Sequence, residues 1–516
     1  MAIHRRNFLR SMSLAGLGGF AARGFSRPML MPLLGEGAQD RVLVIIQLYG
    51  GNDGLNTVIP LDQYDALSVL RGNVLIPENE VLPLGGANGT VGLHPSLGGL
   101  RDLWDAQKLS IVQGVGYPDP VLSHFRSTDI WETGANSDQL LNSGWVGRYL
   151  SSEFPNYPVD YPNSTMPDPL AVRVGAPISS GLQFNGVSMG ISIYNTLDPF
   201  DLAANAYVDP VPETCAGDKL DFIRTIQRQT DLYGDAINAA SVPGCNLSTL
   251  YPEGSEPGAG LAYSLRIVAR LICGGSKTRI YWVSADGFDT HANQVSSSDP
   301  ASGKHAQLLQ GLGDAVHAFQ DDLQLLGISD RVLGMTFSEF GRRIASNAAH
   351  GTDHGTAAPM FLFGDSVLPG MLGTNPEISP ASDASTNLPM QYDFRSVYAS
   401  VLRNWFCVEA GEVENVLLDS YQPLDVVDPS GCIALSVHEA NQGAGTSILD
   451  VYPNPFTEST TIGFATTGGR ILLQVTDQHG RLITTLKNEM LAAGRYTDAY
   501  MVNWVSNVFP GILGRT

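Results

Sequence analysis

Short apolar runs alternate along the chain with longer segments in which apolar residues recur every three or four positions. Arg41–Leu48 is a continuous run rich in β-branched residues, which predicts a buried parallel strand, and a Gly-rich turn follows at Tyr49–Gly54. Further strands are predicted at Leu109–Val112, Arg279–Ser284, Arg331–Phe337 and Pro359–Phe363. Helices are predicted at Ser96–Ala106, Gly260–Cys273, His305–Leu326 and Phe394–Trp405. This alternation predicts an α/β fold, a doubly wound, mostly parallel sheet whose functional residues gather at the carboxyl ends of its strands.

Composition changes twice outside this pattern. The interval 150–258 is rich in Pro, Asn, Gly and Ser, and we interpret it as insertions around the sheet. A linker at 436–448 then leads to short strands separated by Gly or Asn turns, which predict a small C-terminal β-sandwich at 449–516. The main α/β domain is therefore placed at 40–435.

The N-terminus carries a targeting pattern. Arg5 and Arg6 precede Phe8-Leu9 and a short apolar run rich in Gly and Ala, which is typical of a twin-arginine signal peptide at 1–35. The alternative is a basic, disordered terminus. The signal predicts the twin-arginine translocase as a partner and export to the periplasm, then to the cell surface or the medium.

Charge and cysteine spacing exclude some functions. The formal net charge of -21 argues against nucleic acid as a partner, because phosphates would be repelled. No C-x-x-C spacing occurs among the five cysteines, which argues against a structural zinc site. In an oxidising compartment Cys407 with Cys432 and Cys215 with Cys245 could form disulfides, leaving Cys273 as a buried thiol. The sequence leaves the connectivity open.

Acidic and histidine residues follow or precede the predicted strands. They are Asp53 after the first strand, Asp286, Asp289 and His291 after the strand ending at Ser284, Glu339 after Phe337, and Asp353 and His354 before Pro359. Carboxylates and imidazoles gathered at one sheet edge need a compensating cation, so the set predicts a metal site. Taken singly, each has an ordinary alternative as a turn, helix-terminal or loop residue.

Six segments around these residues resemble the twin-arginine-exported domain of unknown function family 1501, over about 40–435. They are 49–57, 123–134, 144–150, 287–291, 337–343 and 351–355. That family belongs to the alkaline-phosphatase-like superfamily, with the phosphatases, sulfatases and cofactor-independent phosphoglycerate mutases. The resemblance implies their sheet and their site location, with Asp53, Asp289, His291, Glu339 and His354 as metal ligands.

The resemblance has two departures. The middle pair is Asp-x-His rather than Asp-x-x-x-His, and Phe340 occupies the place of a second histidine. One divalent ion is therefore expected, and we consider magnesium, calcium, manganese and zinc, with the many oxygen ligands favouring the first three.

A hydrolase of this class needs a nucleophile and groups that hold the anion. Ser123 is the candidate nucleophile at the start of a predicted helix, with an N-cap serine as the alternative. His124 and Arg126 are assigned with it to catalysis, and Arg342 and Arg343 to anion binding, although the last two could instead pair with the acidic surface.

The sequence thus predicts an exported metal-dependent hydrolase of phosphate or sulfate esters. The alternative is a noncatalytic surface protein that keeps the fold to bind a glycan or a partner.

The terminal module resembles the C-terminal sorting domain of type IX secretion cargo through 451–456, 459–462, 477–482 and 493–496. The resemblance implies the type IX secretion machinery as a second partner. An ordinary binding sandwich is the alternative.

Overall fold

The computed structural model describes most of the chain between the predicted signal peptide and the C-terminal strands. The described residues are 40–85, 89–194, 214, 232–242, 244–432, 446–452, 459–466, 468–476, 482–492 and 494–501. The predicted signal peptide, Cys215 and most of the predicted linker lie outside them.

Twenty-one strands and nine named helices make up the described part. The strands are β1 Val42–Tyr49, β2 Val58–Pro60, β3 Leu82–Pro83, β4 Val91–Leu93, β5 Leu109–Gly116, β6 Ala171–Val174, β7 Gln183–Phe184, β8 Val187–Ser188, β9 Ile191–Ile193, β10 Ile280–Asp286, β11 Val332–Phe337, β12 Arg342–Ser346, β13 Thr352–His354, β14 Ala358–Phe363, β15 Gly370–Leu372, β16 Tyr392–Asp393, β17 Thr446–Tyr452, β18 Ser459–Thr466, β19 Gly469–Thr476, β20 Leu482–Leu491 and β21 Gly494–Met501. The helices are α1 Gly54–Thr57, α2 Tyr64–Arg71, α3 Gly98–Asp105, α4 His124–Thr133, α5 Trp145–Glu153, α6 Ala259–Cys273, α7 Lys304–Leu325, α8 Phe394–Ser400, continued by a π-helical turn at Val401–Trp405, and α9 Ala410–Leu417. Residues 232–240 are also helical.

A mostly parallel sheet of nine strands forms the centre. Its order is β15-β5-β14-β11-β1-β10-β6-β9, and β16 pairs with β5. β14 runs antiparallel to both of its neighbours, β5 and β11, whereas the other pairs in this sheet are parallel. The fold is therefore mixed α/β with a single reversed strand, in agreement with the predicted class.

Helices cover both faces of this sheet, which explains the continuous apolar run in β1. Val44 and Ile46 pack in one buried cluster with residues of α3, α6 and α7. Leu43 and Ile45 point the other way into a second cluster with residues of α4, α5, α8 and α9. A strand buried on both faces needs apolar side chains at every position rather than at alternate ones.

The interpretation of 150–258 as insertions around the sheet is wrong in part. β6 and β9 lie in this interval and form one edge of the central sheet, with β6 pairing in parallel with β10. These strands have four and three residues, so their apolar pattern is too short to stand out from the surrounding loops.

Of the two suggested disulfides, Cys407–Cys432 is confirmed, whereas the pairing of Cys245 with Cys215 is wrong. Cys245 is bonded to Cys273, and Cys407 to Cys432. The assignment of Cys273 as a free thiol is wrong. α6 ends at Cys273, and this end of the helix lies against the segment that begins at Ala240 and leads to Cys245. The approach is so close that a Cβ at Gly274 would lie 1.7 Å from the Ala240 carbonyl oxygen.

The C-terminal strands form two small sheets. β17, β18 and β21 make an antiparallel sheet of three strands, and β19 pairs with β20. β17 begins at Thr446, inside the segment assigned to the linker. Ile462 and Phe464 are buried, and the Phe464 ring stacks on Tyr496 with centroids 5.7 Å apart. Within the described parts of the chain, no helix combines the length and apolar character required to cross a bilayer.

Candidate metal centre

The site lies where the carboxyl ends of β1, β10 and β11 meet. Gly50 and Gly51 turn the chain after β1 with φ of 125° and 80°, and a Cβ at Gly50 would lie 2.2 Å from the Asp289 backbone nitrogen. Only glycine allows this approach. Because β14 runs in the opposite direction, the residues before it reach the same edge, and so His354 comes to face the residues that follow the parallel strands.

Three histidines at this edge share one arrangement. In each of them Nδ1 lies within hydrogen-bonding distance of a carboxylate or carbonyl oxygen, which accepts a hydrogen bond and does not donate one. The partners are Glu339 Oε1 for His124 at 2.7 Å, Asp353 Oδ1 for His291 at 3.2 Å, and the Leu122 carbonyl oxygen for His354 at 2.9 Å. Such an acceptor fixes the tautomer with the proton on Nδ1. Each Nε2 of the neutral ring is then left with a free lone pair.

The three Nε2 atoms converge on the Asp289 carboxylate. Oδ1 of Asp289 lies 3.3 Å from His291 Nε2 and 3.6 Å from His354 Nε2, and Oδ2 lies 3.5 Å from His124 Nε2. The Nε2 atoms of His291 and His354 are only 2.8 Å apart. Two lone pairs at this distance repel unless a proton or a cation lies between them.

The surroundings shift the pKa values of His354 and His124 in opposite directions. Burial lowers the pKa of His354, and the positive charge of Arg342 lowers it further. For His124 the hydrogen bond to Glu339 has the largest effect and raises the pKa. Burial alone would raise the pKa of Asp289, but the hydrogen bond and the charge of Arg342, together with the nearby His291 and His124, outweigh burial and lower the pKa.

The donor set therefore fits a divalent metal ion. The ligand atoms of His124, Asp289 and His354 lie within 4.8 Å of one another, and His291 extends the set. Imidazoles whose second nitrogen is held by a carboxylate or a carbonyl are typical of metal-binding histidines. Asp289 and His291 are nearly half exposed, so the site opens to solvent.

Glu339 and Asp53, which were expected to be metal ligands, lie apart from the candidate ligands Asp289, His124, His291 and His354. Glu339 is fully buried, and its Oε1 accepts hydrogen bonds from His124 Nδ1 and from the Gly50 backbone nitrogen at 2.8 Å. Asp53 is also fully buried, and it pairs with Arg71 and accepts a hydrogen bond from Gln294 at 2.6 Å. The structure thus brings Asp289, His291 and His354 together, with Glu339 behind His124 and Asp53 in a separate ion pair.

The residues assigned to catalysis and anion binding are placed as follows. Ser123 is exposed and stands at the N-cap position of α4, as the alternative expected, but its side chain makes no cap hydrogen bond to the helix. Arg126 pairs with Asp129 and with carbonyl oxygens of 136–139. Arg343 donates to the carbonyl oxygens of His354 at 3.1 Å and of Ala384 at 2.8 Å.

Arg342 has a role that the sequence did not reveal. Its buried guanidinium donates to Asp289 Oδ1 at 2.7 Å and to backbone carbonyl oxygens. Those carbonyls belong to Gly50, Gly51, Phe288 and Thr352. One side chain thereby joins the segments that follow β1 and β10 to β13. Its assignment to anion binding stays a prediction.

Phe340 and Tyr49 supply aromatic surface beside the imidazoles. The Phe340 ring centroid lies 4.9 Å from that of His124 and 4.5 Å from that of His354. Tyr49 lies 5.8 Å from His124. Phe340 thus packs against two candidate ligands, at the position where the family resemblance led us to expect a second histidine.

Fold and site together define a mixed α/β protein with a candidate His/Asp metal centre at the carboxyl edge of its sheet. Residues 207–417 match the model of a family described as "Protein of unknown function (DUF1501)". This match confirms the family resemblance for that segment, which contains Asp289, His291, Glu339 and His354 but neither Asp53 nor Ser123. No curated protein matches the chain.

Two solved structures are similar at a low level. One is a Bacteroides thetaiotaomicron protein labelled 4S-sulf, from work on the metabolism of multiple glycosaminoglycans; its TM-score is 0.33 and its identity 10%, over 87% of this chain and 90% of that chain. The other is alkaline phosphatase from the Antarctic bacterium TAB5, with a TM-score of 0.27 and 11% identity over 63% of this chain and 92% of that chain. Likeness at this level assigns no activity.

Proposed function

We propose that the protein is a metal-dependent hydrolase of phosphate or sulfate esters. The observation that supports it is the convergence of three imidazole Nε2 atoms on the Asp289 carboxylate, with the Nδ1 of each ring facing an acceptor oxygen. The class of ester comes from the sequence resemblance of the site segments. The residues that would hold the ion are Asp289, His291, His354 and His124.

We propose zinc as the ion. The sequence, with its carboxylates, favoured magnesium, calcium or manganese. The geometry groups the imidazoles of His124 and His354 with the Asp289 carboxylate and places the His291 imidazole beside them, and nitrogen-rich sets suit zinc and its transition-metal neighbours. When bound, such an ion supplies Lewis-acid polarisation of the oxygen of an ester. The exposure of Asp289 and His291 leaves room for substrate on the solvent side.

The residues of the chain have distinct tasks in this proposal. Ser123, exposed and directly before His124, would supply the hydroxyl that attacks the phosphorus or sulfur atom. The ester bond to the alcohol breaks, the alcohol leaves with the proton of the serine hydroxyl, and water then hydrolyses the serine ester and restores the hydroxyl. The amino end of α4 offers backbone N–H groups that favour an anion beside it. Glu339 orients His124, and Arg342 keeps Asp289 in its ionised form and in place.

A noncatalytic binding protein is the second candidate. Two observations favour it. The guanidinium groups of Arg126 and Arg342 are bonded to protein acceptors, so neither presents its charge freely to an anionic ester. Phe340 also fills a position where a ligand is expected. In this case the site would bind a glycan or a partner and would not turn over a substrate.

Turnover separates the two candidates. We expect the purified protein to hydrolyse an aryl phosphate or an aryl sulfate, and chelation to abolish the activity. Because Ser123 makes no cap hydrogen bond, Ser123→Ala should remove turnover while leaving metal content and Tm unchanged. Ser68→Ala, at an exposed serine within α2, is the control. Absence of turnover on both substrate classes by the metal-loaded parent would favour the binding protein.

Export is part of the proposal. The twin-arginine signal at 1–35 would carry the folded chain to the periplasm, and the module from 449 onward, folded as a β-sandwich, would direct it through type IX secretion to the surface or the medium. Support comes from the disulfides Cys245–Cys273 and Cys407–Cys432, which are typical of proteins outside the reducing cytosol.

A further inference from the structure

Gln294 connects the two chain segments that carry His291 and His354. Its Oε1 accepts hydrogen bonds from Thr290 Oγ1 at 3.1 Å and from Thr352 Oγ1 at 2.7 Å. Thr290 lies between Asp289 and His291 in the sequence, and Thr352 lies two residues before His354. One amide oxygen thus fixes the spacing between the two halves of the candidate metal centre.

The other end of the amide is held by a buried ion pair. Gln294 Nε2 donates to Asp53 Oδ2 at 2.6 Å, and the same carboxylate pairs with Arg71. A flipped amide would turn its oxygen towards the carboxylate and its N–H groups towards the threonines. The charge of Asp53 therefore fixes the orientation in which Gln294 can accept from both hydroxyls.

Burial makes this network rigid. Asp53, Arg71, Thr290, Gln294 and Thr352 are each fully buried. The backbone reinforces the link, since the Thr352 nitrogen donates to the Thr290 carbonyl oxygen at 3.2 Å. Water cannot replace these partners without opening the core, so a lost hydroxyl leaves the Gln294 oxygen without its full set of donors.

We propose that Gln294, oriented by Asp53 and Arg71, is a positioning residue that sets the distance between the two ligand-bearing segments. Asp53 then acts through Gln294 and not as a metal ligand. The inference rests on the proposed metal-dependent function. If the inference holds, metal affinity depends on the buried hydroxyls of Thr290 and Thr352, which contact neither the ion nor the substrate. Groups that hold the ligands of a metal site in this way generally affect metal affinity.

The test uses isosteric variants of the full chain. Thr352→Val and Thr290→Val each remove one hydroxyl, and Thr278→Val is the matched control. Thr278 is buried and donates to the Pro169 carbonyl oxygen at 2.7 Å, before the first residue of β10 and so at the opposite edge of the sheet. Zinc affinity is measured by competition with a chromophoric chelator, the visible spectrum is recorded with cobalt(II), and the Tm of each metal-free protein is determined.

We expect Thr352→Val to weaken zinc binding about 10- to 100-fold and to alter the cobalt spectrum. Thr290→Val, with the longer hydrogen bond, should have a smaller effect in the same direction. Thr278→Val should lower the metal-free Tm to a similar extent and keep the parent's affinity and spectrum. Parent-like affinity and spectrum in both Thr352→Val and Thr290→Val overturn this inference alone. A parent that binds neither metal overturns it together with the proposed function.

Discussion

The buried ion pair between Asp53 and Arg71 allows a quantitative prediction. Both side chains are fully buried, so replacing Arg71 with Met leaves an unpaired carboxylate in the core. Breaking a buried pair in this way costs about 3–5 kcal/mol, whereas replacing both partners with apolar residues is close to neutral. We therefore expect Arg71→Met to be strongly destabilising and Arg71→Met with Asp53→Leu to recover much of the loss.

The expected change in Tm follows from the size of the domain. An unfolding entropy of about 2.1 cal/mol/K per residue over roughly 390 residues between 41 and 432 gives about 0.8 kcal/mol/K. A loss of about 4 kcal/mol then lowers Tm by about 5 °C. Differential scanning calorimetry of parent, single and double variants at pH 8 measures it.

The pH dependence gives a second signature. In the parent, burial alone would raise the pKa of Asp53, but Arg71, with smaller contributions from His305 and Gln294, holds it below its ordinary value. The stabilisation is therefore present above the unfolded pKa and is lost only as pH falls through the lower folded pKa. Between pH 8 and pH 5 the contribution of the Asp53–Arg71 pair to the parent's stability is therefore constant.

Without Arg71 the sign reverses, because burial then dominates and raises the pKa of Asp53. The charged form is disfavoured in the folded variant, and protonation relieves the penalty as pH falls. The Tm difference between parent and Arg71→Met should therefore narrow from pH 8 to pH 5. A difference of less than about 1 °C at pH 8, or one that is independent of pH, would refute the reasoning.

Two further predictions concern other parts of the chain. Buried Asp322 accepts four hydrogen bonds from the segment 246–251, at 2.6 to 3.0 Å. Asp322→Ala should therefore lower Tm by about 4 °C and open that segment to limited proteolysis, whereas the control Asp321→Ala should do neither. A segment that stays uncleaved in Asp322→Ala would contradict this prediction. Replacing both Arg5 and Arg6 with Lys should retain the precursor in the cytoplasm, because the export receptor recognises the guanidinium pair. The control variant Arg10→Lys should be exported. Normal export of the double variant would contradict the targeting proposal.

The fold class could be predicted because strands such as β1, buried on both faces, leave an apolar run that is hard to mistake. β6 and β9 could not be recognised, since strands of three or four residues carry too little pattern. The reversal of β14 leaves no trace in its composition either. It matters nonetheless, because it brings His354 to the edge where β10 delivers Asp289.

The candidate site was predictable only in part. Asp289, His291 and His354 stand at strand ends, and the structure places them together. His124 was assigned to catalysis, yet its Nε2 faces the same carboxylate. Asp53 was grouped with the ligands because it follows β1, but the buried arginine that pairs with it comes from α2, and no sequence periodicity reveals such a long-range partner.

Metal content tests the central claim most directly. Elemental analysis of the protein purified from its exported, folded form should give one transition-metal ion per chain, with zinc as the proposed metal. Asp289→Ala and His291→Ala should lose the ion and melt at lower temperature, and excess zinc should raise their Tm. Asp286→Ala, an exposed carboxylate three residues before Asp289, should keep it. A parent without stoichiometric metal after incubation with zinc, or an Asp289→Ala variant with full metal content and the parent's Tm, would contradict the account.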